Sequence, residues 1–335
     1  MRAIDSEFLL VAGLPVRIAI LSELDTEAVA QLRDQHDVVD AVGIPQERVE
    51  EVVADSDVVV FRSGVQLTRS VVEAAARLRL VVRAGSGYDN IDLDAARARG
   101  VVVARVPGPS SRAVAELTLG LMFAASRNIV RADSSMRRGE WAKSELAGNL
   151  IFGKTAGVVG LGNIGSITAE LCQSVGMRVV GCLPAPSQMT VRRFASKGIE
   201  LLPLSDLLAV SDYVTLHVPL DASTRGLIDE AELGQMKPGS YLINTSRGGV
   251  VYEAALLQAL HRPDGLRGAA LDTHESEGAG RRSPLADEPN VVLTPHIGSM
   301  AVETQAQIGG RVVELIDGLV AGTLETLLSA HERVA

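Results

Sequence analysis

The stretch Gly160-Leu161-Gly162-Asn163-Ile164-Gly165 is where residue type and spacing most directly imply chemistry. A Gly-x-Gly-x-x-Gly run is weak alone. Here an apolar run, Thr155-Ala-Gly-Val-Val159, precedes it and a helical pattern over about 163–175 follows it. In that setting the first glycine permits a tight turn, the second lets backbone approach a pyrophosphate, and the third lets helix and strand pack closely. The helix start then offers free N–H groups and the positive end of its dipole to phosphates. Gly160, Gly162, Asn163, Ile164 and Gly165 are therefore candidate dinucleotide contacts, against the plainer alternative of a glycine-rich turn without a ligand.

The strand after such a loop ordinarily ends in an acidic residue that holds the adenosine ribose. From Leu171 to Ile199 there is no Asp or Glu, and Leu183 stands at that point, followed by Pro184 and Pro186. Arg192, Arg193 and Lys197 lie downstream. Two readings stay open: tolerance of a ribose 2′-phosphate, hence NADP, or a neutral loop that binds NAD by other contacts. The expected cofactor is NAD or NADP.

Positioning such a loop takes a particular scaffold. Short β-branched runs at 16–20, 57–61, 80–82 and 100–103 alternate with helical patterns, and a second series runs through 155–159, 178–180, 213–217, 240–244, 268–272 and 291–294. The runs lack polar alternation, as parallel strands buried on both faces do. Alternation of this kind predicts α/β layers. Residues 112–138 read as one long helical stretch, and 299–321 carry Ile308, Val312, Leu315, Ile316 and Leu319 at helical spacing. With 335 residues and no flexible linker, two α/β units joined through structured helices are expected.

Composition narrows the partners. A net charge of −9 disfavours a polyanion backbone, and ten aromatics are too few for base-stacking platforms, so no nucleic acid is expected. Residues 8–14 form an apolar start too short for a membrane span, and Asp5 and Glu7 flank it where an export signal carries positive charge, so neither membrane nor export is expected. Cys172 and Cys182 cannot build a disulfide framework or, alone, a metal cluster; a reducing, cytoplasmic setting fits them and no metal is expected.

Further stretches occur in a telling order: Val81-Val-Arg-Ala-Gly-Ser-Gly-Tyr-Asp-Asn-Ile-Asp92, the glycine loop, Leu216-His-Val-Pro-Leu220, Asn244-Thr-Ser-Arg-Gly-Gly249, Ala269-Ala-Leu-Asp-Thr-His-Glu-Ser-Glu277 and Leu293-Thr-Pro-His-Ile-Gly298. Together they resemble the NAD(P)-dependent D-2-hydroxyacid dehydrogenase family over about residues 57–321. The resemblance is closest to its 3-phosphoglycerate dehydrogenase-like and C-terminal-binding-protein-like branches. It implies an α/β protein of two Rossmann-like, doubly wound lobes with a cleft between them. A flavodoxin-like substrate lobe would comprise residues 1–109 and 298–335, and an inserted dinucleotide-binding lobe residues 110–297. With the last helical segment ending close to residue 335, no regulatory domain is expected after it.

The resemblance also implies roles. Hydride transfer between a nicotinamide and a 2-hydroxy acid needs a cation for the substrate oxygens, an acid–base group and a group that tunes it. Arg247 matches the substrate arginine, whose fork would hold a carboxylate and polarise the adjacent carbonyl. His296 matches the acid–base histidine and Glu277 the carboxylate that pairs with it, with Glu275 a competitor two residues earlier. Gly278 stands where the family usually has proline. Asp272 matches a nicotinamide contact, with a simple helix or turn cap as the alternative; His217, Pro219, Thr245 and Gly298 match further positions beside the cofactor, with a satisfied core histidine the alternative for His217. Ser86 and Gly87 match an anion-binding backbone turn, and Arg62 a contact to a second anionic group. The family also implies a homodimer through residues 112–138, where Leu117, Leu119, Leu121, Met122 and Phe123 exceed what one helix face needs. The expected activity is oxidoreduction of a small 2-keto or 2-hydroxy acid. The alternative is a dinucleotide-sensing binding protein of corepressor type with little turnover.

Overall fold

Two parallel sheets organise the chain in a computed structural model that describes residues 14–335. The apolar start at 8–14 lies, but for Leu14, outside the described residues. The chain divides into two compact units, one ending at Ser110 and resuming over Ser299–Ala335, the other Ser111–Gly298. The first passage falls at the start of the helix Ser110–Ser126.

In the first unit β1 (Arg17–Ile20), β2 (Asp37–Asp40), β3 (Val58–Phe61), β4 (Leu80–Arg83) and β5 (Val102–Arg105) lie in the order β2-β1-β3-β4-β5, all parallel. This is the flavodoxin-like order. Each face of the sheet has its own apolar layer. One joins Ile18, Val58 and Val82 to Ile308, Val312, Leu315 and Ile316 of the helix Val302–Ala321. Covering that stripe, at about 1.5–3 kcal/mol per large aliphatic side chain, is what returns the C-terminal segment to a sheet built from the N-terminal one.

The second unit holds β6 (Thr155–Val159), β7 (Arg178–Cys182), β8 (Glu200–Leu201), β9 (Tyr213–Leu216), β10 (Tyr241–Asn244), β11 (Gly268–Leu271) and β12 (Val291–Leu293), in the order β12-β11-β10-β9-β6-β7-β8. Strand order reverses on either side of β6, which makes its carboxyl end the switch point where such sheets bind ligands. β2 and β8, both at sheet edges, are absent from the strands expected from sequence.

The expected single helix over 112–138 is two, Ser110–Ser126 and Ile129–Arg137, bent by 64°. Asn128 makes the break in the left-handed region at φ 53°, a conformation asparagine tolerates through local hydrogen bonding. Its Nδ2 donates to the Ala147 carbonyl at 3.3 Å. Among the described residues no single helix is long and apolar enough to cross a membrane. Four of the five apolar residues singled out in the stretch are covered within the unit. Leu121 and Met122 are buried in its core, and Leu117 and Leu119 pack against it. Phe123 stays exposed, and further exposed apolar side chains follow at Ile129, Val130, Met136, Trp141, Leu150 and Phe152, with Trp141 at 79 %.

Candidate active site

The glycine loop leaves β6 through Gly160 at φ +90° and enters the helix Asn163–Ser174. A Cβ on Gly160 would stand 2.4 Å from the His217 carbonyl oxygen, and one on Gly165 1.9 Å from the Gly160 carbonyl oxygen. Strand, turn and helix are thus as close as bare backbone permits. Gly162 is different: a Cβ there would meet nothing within 4 Å. Gly162 is the N-cap and has no side chain to accept from the first-turn N–H groups of Asn163, Ile164 and Gly165. An open helix start rich in donors at a switch point is what a pyrophosphate requires, so the residues present fit a dinucleotide.

His217 closes β9 beside this loop. Its N–H donates to the Val159 carbonyl at 2.8 Å, and its Nε2 lies 3.0 Å from Thr215 Oγ1. Nδ1 is shielded from water without a protein partner. Burial pushes the ring down to about 3, so it is neutral and cannot serve as the proton donor at neutral pH. The Pro219 carbonyl accepts from Thr224 Oγ1 at 2.6 Å. Thr245 is buried, its hydroxyl 2.8 Å from that of Thr118.

Arg247 follows β10 on a turn that Asn244 builds. Asn244 Oδ1 accepts from the Ser246 N–H at 3.0 Å and hydroxyl at 2.7 Å, while its Nδ2 donates to the Arg247 carbonyl at 2.8 Å. Asn244 is fully buried and was not singled out from sequence, although an asparagine at a strand end before a turn is a local signal for this geometry.

Asp272 and His296 follow the neighbouring strands β11 and β12, whose register pairs Leu271 with Leu293. His296 has φ +54°, outside the range most side chains accept. Asp272 holds it there. Its Oδ1 accepts from Thr294 Oγ1 at 2.6 Å and Ile297 N at 2.8 Å, its Oδ2 from Gly298 N at 2.8 Å, and its carbonyl from His296 N at 2.8 Å. The Asp272 carboxylate therefore acts as a turn clamp, the plainer of its two expected roles, and Gly298 is one of its donors.

His296 Nδ1 lies 2.9 and 3.1 Å from the two Glu277 oxygens. Glu275 is engaged elsewhere, its carboxylate accepting from Glu253 N at 3.1 Å. Burial works to raise the Glu277 carboxyl. The His296 hydrogen bond and charge, then the His274 N–H and charge, outweigh it and hold Glu277 below its ordinary range.

In the first unit, Ser86 and Gly87 follow β4. Ser86 Oγ lies 2.9 Å from Ser110 Oγ, the Ser86 carbonyl accepts from Arg105 at 3.0 Å, and neither Ser86 nor Gly87 N–H donates to an acceptor among the described residues. Arg62 donates to Gln305 Oε1, Ser299 Oγ at 2.7 Å and Met300 Sδ at 3.3 Å, so it braces the start of the C-terminal segment. Burial lowers its guanidinium from its usual value, against the opposing charge of Glu23.

These features define a dinucleotide-binding α/β protein with an arginine turn and a carboxylate–histidine pair at its strand ends. Residues 119–298 match the family model described as D-isomer specific 2-hydroxyacid dehydrogenase, NAD binding domain, and the chain belongs to that family. It is 39 % identical over 311 residues to D-3-phosphoglycerate dehydrogenase of Methanocaldococcus jannaschii, covering 92 % of this chain and 58 % of that protein. It is 36 % identical to hydroxypyruvate reductase of Thermotoga maritima, covering 90 % and 97 %. The crystal structure of D-lactate dehydrogenase from Aquifex aeolicus complexed with NAD and lactic acid matches with a TM-score of 0.81 at 27 % identity, over 95 % of this chain and 98 % of that one. The chain thus spans about 58 % of the length of the phosphoglycerate dehydrogenases it matches. Its second unit is a domain for a nicotinamide cofactor.

Because a side chain at Gly162 finds open space, Gly162→Val is expected to fold normally and to lose cofactor binding. Fluorescence titration with NADH and NADPH, beside a melting curve, checks this. Unchanged affinity would remove the loop from the site.

Proposed function

We propose that this chain is a D-specific 2-hydroxyacid dehydrogenase, or 2-keto acid reductase, in which the bound nicotinamide supplies or accepts the hydride at C2. The carrying observation is the His296–Glu277 pair at 2.9 Å on a clamped turn. Glu277 occupies Nδ1, which leaves Nε2 to give a proton to the carbonyl oxygen in reduction and to take it back in oxidation. Arg247 binds the substrate carboxylate and polarises the carbonyl. Gly160, Gly162, Asn163, Ile164 and Gly165 hold the cofactor phosphates. His217, Pro219, Thr245, Asp272 and Gly298 border the rest of the cofactor. In the first unit, Ser86, Gly87 and Arg62 are donors suited to an anionic group. Free, at least half-buried thiols at Cys172 and Cys182 are consistent with a reducing, cytoplasmic setting. Assay of NADH and NADPH oxidation with glyoxylate, hydroxypyruvate, pyruvate, phenylpyruvate and 3-phosphohydroxypyruvate tests the reading. No turnover with any of them would sink it and favour a dinucleotide-sensing binding protein.

His296→Ala is expected to lower kcat by about 10²–10⁴ or more, the scale of general acid–base help. Since Glu277 is held below the ordinary carboxylate range, its charge is present above that range and is lost only as pH falls through the lowered value. Glu277→Gln removes it at every pH, so the alkaline limit of reduction should move toward acid. If Glu275→Gln gives that shift instead, the pairing is wrong.

We further propose weak discrimination between NAD and NADP. Leu183 packs against the core of the second unit, and the Arg193 guanidinium stacks 4.7 Å from the Phe194 ring. Neither a repelling nor a binding charge for a 2′-phosphate is evident at the strand end. The expected preference is within about 1.4 kcal/mol, a factor of about ten in kcat/KM. Leu183→Asp should shift it toward NAD; a strong native preference, or no response, would defeat the argument.

The exposed apolar residues Ile129, Met136, Trp141, Leu150 and Phe152 support a homodimer formed through the segment after Asn128. Light scattering at micromolar concentration should give twice the chain mass, and Trp141→Glu should lower it. A monomeric native protein would refute the proposal.

A further inference from the structure

Three candidate catalytic side chains stand on three turns, and one half-buried residue, His274, touches all three turns. Next to Arg247, a Cβ on Gly248 would lie 1.8 Å from the His274 carbonyl oxygen and 2.6 Å from Glu275 N, so the arginine turn lies directly on the His274 backbone. The His274 N–H donates to Glu277 Oε1 at 3.2 Å. Its ring Nε2 lies 3.0 Å from the carbonyl of Thr294, two residues before His296. An acceptor carbonyl at that distance places the hydrogen on Nε2, which leaves Nδ1 toward Oε1 of Glu253 at 3.8 Å.

Glu253 is 1 % exposed and begins the helix Glu253–His261. Its carboxylate accepts from Glu275 N at 2.8 Å and Ser283 Oγ at 2.8 Å, and its own N–H is taken by the Glu275 carboxylate. The two glutamates thus latch the loop that carries Glu277 to the helix that follows Arg247. The charged side chains that His274 meets are Glu277 of its own loop and Glu253 of the helix.

We propose that His274 is a positioning residue that, through its N–H on Glu277 and its Nε2 on the Thr294 carbonyl, holds Glu277 against His296 and fixes both relative to the arginine turn. It touches neither substrate nor cofactor; it acts through the pair. The inference rests on the dehydrogenase reading for its kinetic arm only.

His274→Phe tests it, because phenylalanine fills the space and loses the ring's bond to the Thr294 carbonyl. kcat should fall about tenfold, less than the about 10²–10⁴ of losing acid–base catalysis outright, with the KM for the nucleotide unchanged. The alkaline limit of reduction should move toward acid, as in Glu277→Gln. A residue acting only by its charge would move it the other way, since removing a cation favours a protonated neighbour. That outcome, or an unchanged limit with unchanged kcat, overturns the proposal. Histidine NMR provides an arm that needs no turnover. The His296 signal in His274→Phe should shift in the same direction as in Glu277→Gln, and a native His296 signal would overturn the proposal whatever the substrate. Should the phenylalanine variant not fold, His274→Gln, whose amide can still donate to Thr294, gives the same readouts at smaller amplitude, and native behaviour there in both kinetics and NMR is equally decisive against it.

Discussion

A left-handed histidine governs the arrangement of the second unit's strand ends. Holding a non-glycine residue at φ +54° costs on the order of 1–3 kcal/mol, so the surroundings must over-determine it. They do so through a single buried carboxylate. Asp272 collects the donors of Thr294, Ile297 and Gly298 on its two oxygens. That requires β11 and β12 to be adjacent, parallel and in one register, because a slip of one residue would turn the Asp272 side chain to the other face. The buried apolar strands fix the register, the register places the clamp, and the clamp sets the direction of the His296 ring.

Much of this was legible in the sequence for a simple reason. Strands buried on both faces must be apolar throughout, and each such run marks itself without an alternating pattern. The edges escaped for the converse reason. β2 is Asp-Val-Val-Asp with no fully buried residue, and β8 pairs only Glu200 and Leu201, so neither carries a strong apolar run. The helix break at Asn128 was hidden because no glycine or proline announces it; only the Ala147 contact of the asparagine reveals it. The apolar surplus of 117–123 was visible, but whether a chain's own core or another surface covers it depends on tertiary packing.

At the site, residue types were legible and their division of labour was not. Asp272, Glu275 and Glu277 are three carboxylates within six residues, chemically near-equivalent on paper. What separates them is the donor each meets. Asp272 meets backbone N–H groups and a hydroxyl, which makes it a fixed anion cap. Glu275 meets the Glu253 N–H and joins two segments. Glu277 meets an imidazole, the one donor of the three sets that can itself gain and lose a proton. Family register could nominate Glu277; only the fold shows why its neighbour is already committed.

The same logic explains how a loop with glycine at 278 and 280 can carry the carboxylate that meets His296. Both glycines lie in the left-handed half of backbone space and have nothing within 4 Å of a would-be Cβ, so the chain after Glu277 gains little rigidity from packing. Order has to come from the other side. It comes through the reciprocal bonds of Glu253 and Glu275 and from Ser283, which donates to Glu253 and accepts from Leu285 N. Glu253, the buried carboxylate of that latch, keeps two donors, the condition under which a buried carboxylate stabilises one geometry rather than only costing desolvation. The loop is loose where it meets solvent and tied where it meets the histidine, and the tie is made of hydrogen bonds because no apolar side chain between 272 and 279 is large enough to make it by packing.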